Sequence, residues 1–184
     1  MIKPIAFLLA FAFVSPAFAA VNLLSSSGDA DIEIIYEGTG VVNKNPIALE
    51  QSEMGLSEIS PRTRVSSYLI MISDFDSCSL HPYEATFSFD APVLGIQTDA
   101  NSLRSGRRIL AKSGFNPIAP AGGLERNDNV TLNGDLVVEG RVGRQGTDPI
   151  RVFIEATAVP ELASMGVWGA LSVAGVFGMN RRRR

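Results

Sequence analysis

Short segments in which apolar and polar residues alternate recur through the middle of the chain. In residues 31–37, two isoleucines and a tyrosine share one face and two glutamates share the other: Ile32, Ile34 and Tyr36, then Glu33 and Glu37. A period of two residues is typical of a half-buried β-strand. Residues 65–72 are more continuously apolar, which is typical of a central strand. By the same patterns, further strands are predicted at 84–90, 92–98, 130–132, 135–142 and 150–156.

Turn signals separate these strands. Asn133 and Gly134 tolerate positive φ and predict a tight hairpin between two of them. Residues 43–62 predict a long excursion or a short helix over the sheet, and residues 115–123 predict a turn-rich connection. Helical periodicity is weak, and only residues 100–110 could hold a turn or two. Many short strands at this spacing predict a mainly β fold, a β-sandwich or jelly roll.

The last stretch of the chain has a different pattern. Residues 162–179 contain no charged side chain, and a helix over them would be about 27 Å long, close to the roughly 30 Å hydrocarbon core of a bilayer. Arg181, Arg182, Arg183 and Arg184 follow and should stay on the cytoplasmic side. The sequence thus predicts a single transmembrane helix at 162–179; a buried core helix is the alternative.

The order of features in residues 159–184 resembles a known sorting signal. Val159, Pro160 and Glu161 come first, then the apolar run, then the arginine cluster. This order is similar to the PEP-CTERM signal of Gram-negative bacteria, although Leu162 stands where the usual motif has a second proline. The resemblance implies recognition by a membrane-embedded exosortase and cleavage near the Pro-Glu pair.

Other phrases extend this likeness into the middle of the chain. They are SYLIMISDF, ATFSFDAPVLGIQTDANSLRSG, NDNVTLNG and GTDPIRVFIEA. The chain resembles a group of exported PEP-CTERM proteins without an assigned activity. That resemblance implies a β-sandwich ectodomain and supplies no catalytic residues.

Residues 1–19 have the features of a secretory signal peptide. Lys3 precedes the apolar residues 5–14, and Ala17 and Ala19 are the small residues expected before cleavage at Ala20. A retained N-terminal anchor is the alternative. Export would place the domain at residues 20–158 outside the cytoplasm. We expect it first to be anchored in the inner membrane facing the periplasm, and then to reach the cell surface or the exterior.

Charge and composition narrow the functional classes. With Lys3 and the four terminal arginines set aside, 11 basic and 19 acidic residues remain, for a net charge of −8. This excess of acid argues against a nucleic-acid partner, which favours a basic face. A single cysteine, Cys78, permits no intrachain disulfide, and a single histidine, His81, excludes a zinc-type cluster. No cofactor is expected.

Few residues are candidates for catalysis, metal binding or sugar binding. His81 is the only histidine that a Ser-His or Cys-His enzyme could use, and it is expected in a loop. Asp74 and Asp76 could bind calcium, although aspartates also mark turns. Tyr83 is a candidate for stacking on a sugar, whereas Tyr36 and Tyr68 are expected in the core.

Two functional hypotheses follow. The first is a non-enzymatic protein of the cell surface or extracellular matrix, and the setting of the sorting family implies an association with exopolysaccharide. The second is a carbohydrate-active hydrolase that uses a pair of carboxylates, or a carbohydrate-binding module, on the same fold. The absence of a catalytic motif favours the first.

Overall fold

Two four-stranded antiparallel sheets make up most of the chain that the structure, a computed structural model, describes. Residues 20–28, 30–74, 79–143 and 146–156 are described. The elements are β1 Val21–Ser27, β2 Asp31–Val41, β3 Ile47–Ala48, β4 Glu58–Ile59, β5 Arg64–Ser73, β6 His81–Phe89, β7 Val93–Gln97, α1 Ala100–Lys112, β8 Asn129–Asn133, β9 Asp135–Val142 and β10 Thr147–Glu155. The predicted mainly β fold is confirmed.

The chain crosses several times from one sheet to the other. The first sheet has the strand order β1-β6-β9-β8, and the second has the order β2-β5-β10-β7. All pairings between these strands are antiparallel. The short strands β3 and β4 pair only with each other. Most neighbours in the sheets are therefore distant in sequence.

One hydrophobic core contains side chains from both sheets. Alternate residues of each strand enter it, as the two-residue period requires. From the second sheet these include Tyr68, Ile70, Ile72, Ile150, Val152 and Ile154, and from the first sheet Tyr83, Ala85, Phe87, Leu136 and Val138. Because one side of each sheet contributes to the same core, the alternation seen in the sequence is explained.

The second sheet is also covered on its other face. There Val65, Leu94 and Phe153 pack in a second core with the helix and with the excursion between β2 and β5. The remaining members of that cluster are Val42, Ile47, Ile59, Leu110 and Phe115. Burial on both faces explains the uninterrupted apolar run at residues 68–72 in β5.

Helix α1 is longer than the turn or two that its sequence predicts. It runs from Ala100 to Lys112, and the Asp99 carboxylate caps it by accepting hydrogen bonds from the backbone N–H groups of Asn101 and Ser102. Only Leu103, Gly106 and Leu110 are buried. With a glycine among three buried positions, the apolar stripe is too weak to stand out in the sequence.

The excursion at 43–62 does lie over the sheet, as predicted, but its helical alternative is wrong. Ile47 and Ile59, one from each short strand, both enter the second core. The excursion also links the two sheets at one edge. The Gln51 carbonyl accepts a hydrogen bond from the backbone N–H of Ile96 in β7, and the Glu50 N–H donates to the Ile96 carbonyl. The side-chain amide of Gln51 donates to the Val130 carbonyl of β8 at 2.8 Å.

Strand β1 was not predicted. Its sequence is VNLLSSS, and six of its seven residues are exposed. Burial therefore imposes no alternation of apolar and polar residues on this strand. Pairing with β6 through residues from Val21 to Ser27 defines it instead. The Asn133-Gly134 hairpin between β8 and β9 is confirmed, and Gly134 has a φ of 77°.

Among the described residues, no helix is long and apolar enough to cross a membrane. The transmembrane helix predicted at 162–179 lies outside the described residues and stays a prediction.

Replacement of Gly106 by alanine should destabilise the domain. A β-carbon there would overlap the side-chain carbonyl of Gln97, whose amide donates to the Ala48 carbonyl at 2.7 Å. Alanine favours a helix by about 1 kcal/mol over glycine, whereas overpacking costs about 1–3 kcal/mol, so we expect a net loss in the free energy of unfolding of up to about 2 kcal/mol. Urea denaturation followed by circular dichroism measures the change. Ser105→Ala, at an exposed neighbour, is the control, and a Gly106→Ala variant that is more stable than the wild type would refute the packing argument.

Candidate functional site

Most of the residues assigned to export and sorting lie outside the described part of the chain. They are Ala17, Ala19, Val159, Pro160, Glu161, Arg181, Arg182, Arg183 and Arg184. Ala20 is described, and its carbonyl accepts a hydrogen bond from the backbone N–H of Asp90 at 3.2 Å. The roles of these residues stay predictions.

The placement of His81 in a loop is wrong. His81 is the first residue of β6 and pairs with Val142 of β9. Asp74 is buried just after β5, whereas Asp76 and Cys78 lie outside the described residues. Within the described ranges, no three His, Cys, Asp or Glu side chains are grouped so as to hold a metal ion.

The three tyrosines are not arranged as expected. Tyr83, the candidate for sugar stacking, is only 4% exposed, so its ring is not available to a glycan. Tyr68 is buried as predicted, but Tyr36 is 46% exposed and packs its ring against that of Tyr68 at a centroid distance of 5.1 Å. Half-exposed Tyr36 is thus the tyrosine that a ligand could reach.

A fully buried ion pair lies on the helix-covered face of the second sheet. The Arg151 guanidinium donates from Nε to Glu37 Oε2 at 2.7 Å and from Nη2 to Oε1 at 2.9 Å. Neither side chain is exposed. The arrangement is bidentate, which is the strongest geometry for such a pair.

Local backbone geometry and neighbouring groups position this pair. The register of β2 against β5 shifts between Tyr36 and Gly38, so Glu37 occupies a β-bulge. Its carboxylate also accepts from Ser67 Oγ at 2.7 Å and from the Ile118 backbone N–H at 3.0 Å. A β-bulge changes the direction of a side chain, and the bulge at Glu37 coincides with a carboxylate that lies on the helix-covered face of the second sheet.

The guanidinium also holds the helix layer. Arg151 Nη1 donates to the Leu103 carbonyl of α1 at 2.7 Å, and Nη2 donates to the Ile118 carbonyl at 3.1 Å. The two charges neutralise each other, and both groups are hydrogen-bonded. Together these bonds connect β2, β5, β10, α1 and the segment that follows α1. The arrangement serves to hold these elements together and leaves neither group exposed to a substrate.

Sequence reasoning missed this network. Arg151 alternates with Ile150 and Val152 but was assigned no role, and Glu37 was placed opposite Tyr36, on the polar face of a half-buried strand. The one signal was Arg151 within the otherwise apolar run at residues 150–154. That signal became informative only once the second layer was known.

Removal of one partner should be strongly destabilising. Arg151→Met would leave the Glu37 carboxylate buried without a countercharge, and we expect a loss of about 3–5 kcal/mol in the free energy of unfolding. The double variant Glu37→Met/Arg151→Met should lose less than the single variants combined. Urea denaturation measures both. Arg126→Met removes an exposed arginine and should change stability by at most about 0.5 kcal/mol; if Arg151→Met is equally mild, the pair does not hold the layers.

A second buried polar pair lies between the two sheets. Tyr83 of the first sheet donates its hydroxyl to Asp148 Oδ2 of the second at 3.0 Å, and Asp148 is 5% exposed. Burial raises the pKa of Asp148 to about 6, the charges of Asp128 and Glu125 add to the rise, and the hydrogen bond from Tyr83 opposes it. Burial and the charge of Asp148 likewise raise the pKa of Tyr83.

A polar surface cavity of about 390 Å³ lies next to this pair. Asn127, Asn129, Glu139, Gly140 and Arg141 line it. A β-carbon at position 140 would press against the Asp128 carboxylate and the Tyr83 hydroxyl, so glycine permits their close approach to the strand.

A carboxyl group with a pKa near 6 can exchange a proton near neutrality, as a general acid must. The hydrogen bond from Tyr83 directs this group toward the core. Asp148 does not line the cavity.

The stability of the domain should depend on the ionisation of Asp148. Folding raises its pKa from an ordinary 3.8 to about 6, so the native state holds this proton more tightly than the unfolded chain does. The resulting stabilisation is complete below about pH 4 and is lost as the pH rises through about 6. Asp148→Asn keeps an oxygen for Tyr83 but cannot ionise.

We therefore expect the Tm of the wild type to fall between pH 4 and pH 7 by more than the Tm of Asp148→Asn. Calorimetry across this range measures both curves, with Asp135→Asn, at an exposed position, as the control. Parallel curves for the wild type and Asp148→Asn would show that this carboxyl group does not titrate as described.

No protein-family model matches the chain, and neither the curated proteins nor the solved structures contain a significant match.

Proposed function

We propose that this chain is an exported, non-enzymatic protein of the cell surface or extracellular matrix. The observation that carries the proposal is the order of features in residues 159–184: a Pro-Glu motif, an uncharged run long enough to span a bilayer, and four arginines. The PEP-CTERM resemblance adds the processing partner, an exosortase-type enzyme of the inner membrane. A predicted signal peptide at residues 1–19 supplies the export step.

The extent of the folded domain is in keeping with this proposal. Ala19–Thr157 is one compact unit. It starts at the predicted signal cleavage site and stops just before Val159, Pro160 and Glu161. We propose that this unit is a β-sandwich ectodomain of the jelly-roll-like class, supported by the hydrophobic core that both sheets share.

The buried polar groups also favour a non-enzymatic role. Glu37 and Arg151 neutralise each other and bond to the backbone, and Tyr83 bonds to Asp148 inside the core. Buried polar groups in proteins are normally hydrogen-bonded, and these four side chains meet that requirement through each other and the backbone.

The second candidate function is a carbohydrate-active hydrolase. The observation that favours it is the raised pKa of Asp148 beside Asp128 and Glu125, because such enzymes need one protonated and one ionised carboxyl group. Hydrolysis of a polysaccharide that disappears in Asp148→Asn would support this alternative over the first.

Processing near the Pro-Glu pair should depend on its side chains. Pro160→Ala/Glu161→Ala should remove the recognised motif and leave the full C-terminal sequence in the membrane fraction. Mass spectrometry of the protein from membranes and from medium measures both ends of the chain. Leu162→Pro introduces the second proline of the usual motif and, as the control, should be processed like the wild type. Released wild-type protein that still ends at Arg184 would refute the sorting proposal.

A further inference from the structure

The exposed side of helix α1 carries a row of positive charges. Arg104, Arg108 and Lys112 are exposed and follow each other at intervals of four residues, about 6 Å along the helix axis per step. Arg107 is exposed beside them. Because the opposite side of the helix is buried, these side chains point away from the sheets.

Each end of the row borders a cavity, and the cavity at the second end contains two further cations. At the first end, Arg104, Arg107 and Arg108 face the loop 119–122 across a cavity of about 190 Å³. At the second end, Lys112 shares a cavity of about 720 Å³ with Lys44 and Arg62.

No acidic residue lines either cavity. Between residues 20 and 156, leaving the undescribed gaps aside, Glu37–Arg151 is the one ion pair within 4.0 Å. None of the six cations of the row and its cavities therefore forms an ion pair with a described carboxylate. This concentration is unusual, because the middle of the chain has a large excess of acid.

One cation of the larger cavity, Arg62, has an unusual backbone conformation. Arg62 has a φ of 72°, in the left-handed region that side chains other than glycine seldom adopt. Its backbone N–H donates to the Val42 carbonyl at 2.7 Å, and Val42 lines the same cavity. Non-glycine residues held in this region are more frequent at binding sites than elsewhere.

We propose that the α1 row and its two cavities form one groove that binds an acidic polysaccharide with carboxylates along its chain. Evenly spaced guanidinium and ammonium groups suit a repeating anion, and the cavities provide room for sugar rings at both ends. The proposal deepens the proposed function, on which it rests for the source of the glycan, an extracellular matrix.

The lining of the groove favours a polysaccharide over single-stranded nucleic acid and over a membrane surface. No aromatic side chain lines either cavity, whereas proteins that bind single-stranded nucleic acid stack bases on aromatic rings. Leu103 and Leu110 are buried, so the helix has no apolar face to insert into a membrane surface. Recognition here depends on charge alone, and binding should weaken as salt screens it.

The test uses the full-length protein in detergent, with polygalacturonate as the probe and its methyl-esterified form as the uncharged counterpart. Isothermal titration at 50 mM NaCl should detect binding of polygalacturonate only, and 300 mM NaCl should weaken it. Arg104→Gln/Arg108→Gln and Lys44→Gln/Lys112→Gln should each raise the Kd about tenfold or more. Arg126→Gln/Arg141→Gln removes two exposed arginines elsewhere and should change the Kd less than twofold.

Several results would overturn the proposal. They are absence of binding at 50 mM NaCl, equal binding of the methyl ester, and equal weakening by the control pair. Tighter binding of single-stranded DNA or of vesicles containing phosphatidylglycerol would assign the groove to a different partner and also overturn it. Thermal melting confirms that the surface variants are folded. Because the assay does not depend on C-terminal processing, a failure of the groove and a failure of the sorting proposal are distinguishable.

Discussion

The ion pair between Glu37 and Arg151 is the interaction on which the arrangement of layers depends. Removing two charges from water is costly, and the cost is offset only where each charge has full hydrogen-bonding partners. Here Ser67, the Ile118 backbone and the Leu103 carbonyl complete the set. Because these partners come from separate elements, the charges are satisfied only when helix and sheet are correctly placed.

This constraint follows from the position of the second sheet. Its strands β5, β7 and β10 are buried on both faces, by the other sheet on one side and by α1 with the β3–β4 excursion on the other. One face is filled almost entirely with aliphatic and aromatic side chains. The other includes polar groups such as Gln97, whose amide donates to the excursion at Ala48. Polar pairing on that face gives the layers a unique position that apolar contact alone would not specify.

Helix α1, in this covering layer, also carries the cations of the proposed groove. A helix fixed through its buried side presents its remaining side to solvent in a defined orientation, so the spacing of Arg104, Arg108 and Lys112 becomes a property of the surface. Acidic residues predominate elsewhere in the middle of the chain. A localised cationic groove on an acidic domain should select ligands by the position of charge rather than attract every polyanion.

The β class, seven of the eight long strands and the hairpin at Gly134 were predictable from the chain alone, because two-residue periodicity and turn chemistry are local properties. The sequence also supplied the export and sorting predictions, which depend on composition near the ends. The burial and pairing of four polar side chains became apparent only in the folded molecule: Glu37 with Arg151, and Tyr83 with Asp148. Alternation assigns a residue to a face, but it cannot tell whether water, a helix or another sheet covers that face. Strand β1 was missed for a related reason: its pairing with β6 comes from distant residues, and its own exposed serines leave no pattern.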